Sequence, residues 1–184
     1  MIKIGVVGAG IIADSHLKEY FTLERPKWFL DKKMSGGGIF INLGAHSIDK
    51  LMWITGVGIK RIIGKTGDFS KYDVDGNAQA FIELENGVTA TINICGYKTP
   101  HVNETIFYFT EGTIKLCTGR GLWISKGSAY EEVILPSVRY MPFEHQLKNF
   151  VDSIINDSTP PITGEYGRKV INAIEMVYKY NTNY

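Results

Sequence analysis

The fold is decided by NAQAFIELENGVTATINIC, residues 77–95, in which apolar side chains occupy every second position on both sides of a turn signal. Those before the turn are Ala78, Ala80, Ile82 and Leu84, and those after it are Val88, Ala90, Ile92 and Ile94. Alternation with a period of two is typical of a strand that buries one face. The pair Asn86-Gly87 between the two runs predicts a type I′ hairpin turn. The stretch therefore predicts two antiparallel strands of a half-buried sheet.

The same two-residue period continues on both sides of this hairpin. The further strands that it predicts are 59–65, 105–110, 113–117, 121–125 and 131–135. Glu111-Gly112 is the expected turn of a second hairpin. Together these segments predict an antiparallel meander of five or six strands.

Helical spacing of apolar residues predicts one helix before the sheet and two after it. The first covers 39–54, with Ser35 as a candidate N-cap and Gly56 as its end. Its apolar side is expected to hold Ile48, Leu51, Met52 and Ile54. The stripes of the C-terminal helices are Phe143, Leu147, Phe150, Val151, Ile154 and Ile155, then Val170, Ile171, Ile174, Val177 and Tyr178. Helices on one face of an antiparallel sheet make an α+β fold with an open sheet face.

The first twenty residues have the pattern strand, glycine turn, helix. An apolar run over 2–7 predicts a buried strand, and 12–20 has helical spacing. Between them Gly8, Gly10 and Ala13 form the Gly-x-Gly-x-x-Ala signature that cradles a pyrophosphate at a helix N-terminus. We therefore interpret residues 1–20 as a stub of a dinucleotide-binding (Rossmann) domain and 21–184 as a substrate and oligomerisation domain.

The remainder of a dinucleotide-binding domain has no room in this sequence. The signature also requires an acidic residue about 20 positions further on, at the end of a second strand. Only fifteen residues separate Tyr20 from Gly36, whereas a complete doubly wound domain needs roughly 125. We expect NAD or NADP binding to be lost, and Gly8, Gly10 and Ala13 to be vestigial.

Asn42 and His46 are the candidate catalytic pair. They are four residues apart on the predicted helix 39–54, so both point to one helix face. A histidine can transfer protons near neutral pH. Asn42 can donate and accept hydrogen bonds but cannot act as a general base. The alternative, a histidine that serves only helix packing, stays open.

Composition and charge exclude several classes of protein. The chain has 184 residues, 44% hydrophobic and 21% charged, and a formal charge of +1 that is spread along it. No basic cluster predicts nucleic-acid binding, and no window has the ~18 apolar residues of a membrane span. Cys95 and Cys117 lack metal-site spacing, so we predict free thiols, no metal and a cytoplasmic location.

These motifs resemble the family of glucose–fructose oxidoreductase, inositol dehydrogenase and the rhizopine catabolism protein MocA (Gfo/Idh/MocA). Residues 4–13 are similar to the N-terminal stretch of that family. Residues 28–56 resemble a stretch in which tryptophan precedes Ser-Gly-Gly-Gly and a helix with an Asp-x-x-x-His pair. The late residues that fit its pattern are Glu144, Phe150, Pro161, Thr163-Gly164 and Gly167-Arg168.

The resemblance implies NAD(P)-dependent oxidation of a sugar or cyclitol. His46 matches the family's histidine, whereas Asn42 stands where the family has aspartate. The family's Glu-Lys-Pro motif, whose lysine lies near the nicotinamide, does not occur in this sequence. Three hypotheses follow: an oxidoreductase that is inactive as this chain alone, a non-catalytic module that oligomerises or binds a small polyol, and a remnant with no selected activity.

The open sheet face is expected to mediate self-association. Its predicted residues are Phe81, Glu83, Thr89, Thr91, Asn93 and Cys95. Only one of these side chains is charged, and charged residues are depleted at interface cores. Since the resembling family also associates through this sheet, we predict a homodimer or higher homo-oligomer, with a hydrated monomeric sheet as the alternative.

Overall fold

The computed structural model describes residues 5–10, 27–68, 72–96, 102–136 and 142–181. Within these ranges the chain forms one sheet of eight strands. The strands are β1 (Gly5–Gly10), β2 (Ile59–Asp68), β3 (Asp75–Leu84), β4 (Thr89–Cys95), β5 (Glu104–Phe109), β6 (Gly112–Cys117), β7 (Gly121–Ser125) and β8 (Glu131–Val133). Their spatial order is β2-β3-β4-β1-β5-β6-β7-β8. The α+β expectation is confirmed, with more strands than the five or six predicted.

Helical segments lie before and after the sheet. They are a 3-10 helix (Lys27–Leu30), α1 (Lys32–Ser35), a π turn (Phe40–Gly44) that continues into α2 (Ala45–Thr55), α3 (Pro142–Ile155) and α4 (Gly164–Asn181). Gly56 ends α2 in the left-handed conformation and donates its N–H to the Met52 carbonyl, as predicted. Among the described helices none is long and apolar enough to cross a membrane.

The hydrophobic core lies between one face of β2–β4 and the elements that cover it, α2, α4 and the π turn. Its fully buried side chains include Phe40, Ile48, Ile82, Ile174 and Val177. The alternation in β3 and β4 has the predicted phase, because the even-numbered positions from 78 to 84 and 90 to 94 are buried. Two residues predicted to lie on apolar helix faces, Ile54 and Ile171, are exposed instead.

The turn between β3 and β4 differs from the predicted type I′ turn. A type I′ turn needs positive φ at both central residues, and here Gly87 has φ 81° whereas Asn86 does not have positive φ. The Gly87 N–H donates to the Leu84 carbonyl at 2.9 Å, which closes a three-residue loop over 85–87. The next hairpin turns at 110–111, one residue before the predicted Glu111-Gly112.

Strand β1 corrects the predicted strand–turn–helix at the N-terminus. The strand extends to Gly10, so Gly8 and Gly10 lie in a strand and not in a turn. It pairs parallel with β4 and antiparallel with β5, in the interior of the sheet. Pairing with both neighbours at 5–7, and with β5 again at Gly10, explains why the glycine segment is extended. The predicted helix 12–20 and Ala13 lie outside the described residues.

Helix α3 forms where predicted, but its apolar stripe is not buried. Its exposed apolar side chains are Leu147, Phe150, Val151, Ile154 and Ile155, between 41% and 73% accessible. Ser153 on the same helix is buried. The expectation that both C-terminal helices cover the sheet therefore holds for α4 and fails for the stripe of α3.

Candidate functional site

The candidate site lies where the glycine-rich segment enters the π turn. Asn42 is half-buried within this turn, and His46 is exposed in the first turn of α2. The two residues therefore lie on one continuous helix, as their spacing predicts. Single π turns inside α-helices occur frequently at functional sites, which makes this part of the helix the leading candidate.

Close packing accounts for two of the glycines before the helix. A Cβ at Gly38 would lie 2.2 Å from the Asp75 carbonyl oxygen, and one at Gly37 would lie 2.2 Å from the Tyr178 hydroxyl. No side chain fits at either distance. These glycines allow β3 and α4 to approach the backbone of this segment.

The helix N-terminus is capped by Asp75 of β3, and Ser35 has another role. The Asp75 carboxylate is buried and accepts the N–H groups of Gly38 and Phe40 at 2.7 and 2.8 Å. Ser35 ends α1, and its hydroxyl donates to carbonyl groups of its own loop. The N-cap prediction for Ser35 is wrong, because the cap comes from a residue 35 positions away in sequence.

Tyr178 of α4 completes this arrangement. Its hydroxyl donates to Asp75 at 2.8 Å and accepts the Ile41 N–H at 3.1 Å. Burial and then the neighbouring Asp75 carboxylate raise the pKa of Tyr178 far above its ordinary value. The neutral hydroxyl is thus the form that the site holds.

Lys50 is a further candidate residue that the sequence reasoning missed. It lies four residues beyond His46, so Asn42, His46 and Lys50 form one row along the helix. The Lys50 ammonium donates to the buried Thr105 hydroxyl of β5 at 3.5 Å. Burial lowers the pKa of Lys50 below its ordinary value. The spacing from His46 was the signal that could have revealed it.

The row can hydrogen-bond hydroxyl groups and move a proton. Asn42 offers an amide, His46 an imidazole and Lys50 an ammonium group. By contrast, Gly8 and Gly10 lie in the extended strand β1, and Gly10 pairs with Glu104 of β5. In the described part of the chain no group of three metal-ligating side chains occurs.

The fold and the row define a domain of the α+β class, with an open-faced sheet and a helix that carries the polar side chains of Asn42, His46 and Lys50. The family model for the GFO/IDH/MocA C-terminal domain matches residues 1–115. The chain therefore belongs to the Gfo/Idh/MocA family of oxidoreductases, and the resemblance drawn from the sequence is confirmed. No curated protein sequence matches the chain.

Solved structures support the same fold. The aldose-aldose oxidoreductase from Caulobacter crescentus, complexed with glycerol, has a TM-score of 0.79 and 17% identity over 99% of this chain and 54% of that chain. An oxidoreductase from Thermotoga maritima has a TM-score of 0.74 and 17% identity over 100% of this chain and 54% of that chain. The WlbA dehydrogenase from Bordetella pertussis, in complex with NADH and UDP-GlcNAcA, has a TM-score of 0.71 and 17% identity over 99% of this chain and 52% of that chain. The chain thus spans about half the length of these relatives.

Proposed function

We propose that this chain is the substrate-side half of an NAD(P)-dependent oxidoreductase of sugars or cyclitols, and that it binds a small polyol without transferring hydride by itself. The observation that carries this proposal is the row Asn42, His46 and Lys50 on the helix that begins with the π turn. Each of these three groups can hydrogen-bond a ligand hydroxyl. A relative that was solved with glycerol has the same fold.

Proton transfer at this row would rest on His46. Its imidazole is exposed and can accept a proton from a substrate hydroxyl. Asn42, in the place of the family's aspartate, would orient that hydroxyl without taking its proton. A bound nicotinamide would supply the hydride acceptor.

The described residues do not suit a dinucleotide. A pyrophosphate cradle needs free N–H groups in a turn at a helix N-terminus. Gly8 and Gly10 lie instead in an extended strand that pairs with β4 at 5–7 and with β5 at 5–7 and at Gly10. The sequence also lacks Glu-Lys-Pro. These features support the proposal that NAD(P) binding is lost and that residues 1–20 are vestigial as a cofactor site, with their strand β1 taken up in the sheet of the substrate domain over 21–184.

The proposal also accounts for the exposed stripe of α3 and for the two cysteines. An uncovered apolar stripe, in a chain half as long as its relatives, favours a role as one part of a larger enzyme. Cys95 and Cys117 are free thiols. Because disulfides are rare in the cytosol, we place this function in the cytoplasm.

Titration with ligands tests this function. We expect no saturable calorimetric signal with NADH or NADPH at millimolar concentration, because phosphate contacts alone must offset an association cost of at least ~4 kcal/mol. We expect myo-inositol or D-glucose to shift the imidazole NMR signals of His46. Asn42→Ala should weaken that binding about tenfold.

The matched control is His145, an exposed histidine on α3. Its signals should not move with the polyol. A micromolar isotherm with NADH would restore the complete enzyme. Equal shifts at both histidines would show that the polyol has no site at Asn42 and His46.

A second candidate function is oligomerisation through the open sheet face. Phe81 pairs with Thr91 at the centre of this face, and Gln79 pairs with Asn93. Phe81 and Tyr108 are 48% and 43% exposed. The charged Arg61 and Lys65 belong to the flanking strand β2. An uncharged centre with a charged rim is the usual composition of an interface, so we propose a two-fold homodimer of packed sheets.

A charge at the centre of this face tests the dimer. Thr91→Lys should convert the dimer to monomer in light scattering at tens of micromolar, because it buries an ammonium in an interface that needs about 1,000 Å². The control is Thr118→Lys, in the exposed turn between β6 and β7, which should stay dimeric. A wild-type mass of 20.6 kDa would contradict the proposal.

A further inference from the structure

The start of the helix that carries Asn42 is held by residues from other elements. Helices are normally capped by the side chain of their own N-cap residue. The residue in that position here is Ile39, which makes no side-chain cap hydrogen bond. The buried Asp75 carboxylate accepts the N–H groups of Gly38 and Phe40 in its place, at 2.7 and 2.8 Å.

Tyr178 binds the backbone of the residue next to Asn42. Its hydroxyl accepts the Ile41 N–H at 3.1 Å while donating to Asp75 at 2.8 Å. Its ring also meets the Phe40 ring edge to face, with the centroids 6.0 Å apart. The three backbone N–H groups at positions 38, 40 and 41 thus have partners from β3 and α4.

The π turn connects these backbone hydrogen bonds to the candidate site. It contains Asn42 and ends two residues before His46. A π turn is less favourable than continuous α-helix and persists where its surroundings fix it. The backbone bonds to Asp75 and Tyr178 lie at its N-terminal end, so they set where the Asn42 amide stands relative to the imidazole.

We propose that Asp75 and Tyr178 are positioning residues for the Asn42–His46 pair, acting through the backbone of residues 38–41. They do not touch the ligand. This role rests on the proposed polyol site. Its structural part, that the Tyr178 hydroxyl fixes the conformation at Asn42, can be tested whether or not a polyol binds.

The chain offers a matched control in Tyr166. This second tyrosine of α4 also hydrogen-bonds to α2, donating to the Asp49 carboxylate at 2.8 Å. Tyr178→Phe and Tyr166→Phe therefore each remove one α4 hydroxyl that contacts the continuous helix carrying Asn42 and His46. Only the first touches the N-terminal end of the π turn. A difference between the two variants in the amide signals around Asn42 therefore reports a local change in backbone position and not a general loss of stability.

The experiment compares both variants by backbone amide NMR, hydrogen exchange and titration with myo-inositol. Tyr178→Phe should shift the amide signals of residues 38–42 and speed exchange of the Ile41 amide. It should also weaken polyol binding about fivefold, the effect of one hydrogen bond. Tyr166→Phe should leave residues 38–42 and the affinity unchanged.

The outcomes separate this inference from the proposed function. Equal effects of the two variants on residues 38–42, or none from Tyr178→Phe, would overturn the positioning role. If the wild-type protein binds no polyol, the proposed function fails, while the amide signals still decide whether Tyr178 fixes the Asn42 backbone. Normal polyol affinity in Tyr178→Phe despite shifted amides would also refute positioning of the ligand site.

Discussion

Gly38→Ala should lower the free energy of unfolding by about 3 kcal/mol or more, through overpacking together with loss of the backbone cap. The new Cβ would lie 2.2 Å from the Asp75 carbonyl oxygen and 2.7 Å from its backbone nitrogen. Both are atoms of the β3 backbone, which cannot rotate aside as a flexible side chain could. Relieving the clash requires moving the glycine segment away from β3, which breaks the Gly38 N–H bond to Asp75.

Urea unfolding measures this loss, with Gly164→Ala as the control. Gly164 begins α4, and a Cβ built there meets nothing within 4 Å. Because alanine favours helix over glycine, the control should be neutral or stabilising by up to ~1 kcal/mol. Similar unfolding midpoints for the two variants would mean that β3 does not pack against Gly38 as closely as described.

Asp75→Ala should have the second large effect, about 3–5 kcal/mol of lost stability, because three donors at the start of the helix lose this acceptor. These donors are the N–H groups of Gly38 and Phe40 and the hydroxyl of Tyr178. Asp75 is 5% exposed, so water does not readily replace the carboxylate. Asp75→Asn keeps the size and one acceptor oxygen, and its loss should be intermediate.

The matched control is Glu83→Ala on the same strand. Glu83 pairs with Lys60 at 2.7 Å, with side chains that remain 32% and 60% exposed. Exposed ion pairs contribute little to stability because water screens them, so unfolding should hardly change. If Glu83→Ala destabilised the protein as much as Asp75→Ala, the cap would not be the reason for the loss.

Part of the site was predictable because helix-face positions follow from spacing. Asn42 and His46 lie on one helix, and Gly56 ends it, as the sequence predicts. The same four-residue spacing could have identified Lys50. Asp75 was not, because nothing around a carboxylate at the start of a strand indicates that it caps a helix. That function depends on how close β3 comes to Gly38.

Residue periodicity was enough to predict the strands of the central hairpin and the helices that follow the sheet, because both periods are set by local backbone geometry. Alternation from Ala78 to Leu84 requires a strand with one buried face, wherever that strand lies in the sheet. Long-range packing places β1 between β4 and β5 and leaves the stripe of α3 uncovered. It also brings Tyr178 to Ile41 across 137 positions. Such contacts depend on which distant segments meet in space, and periodicity carries no information about that.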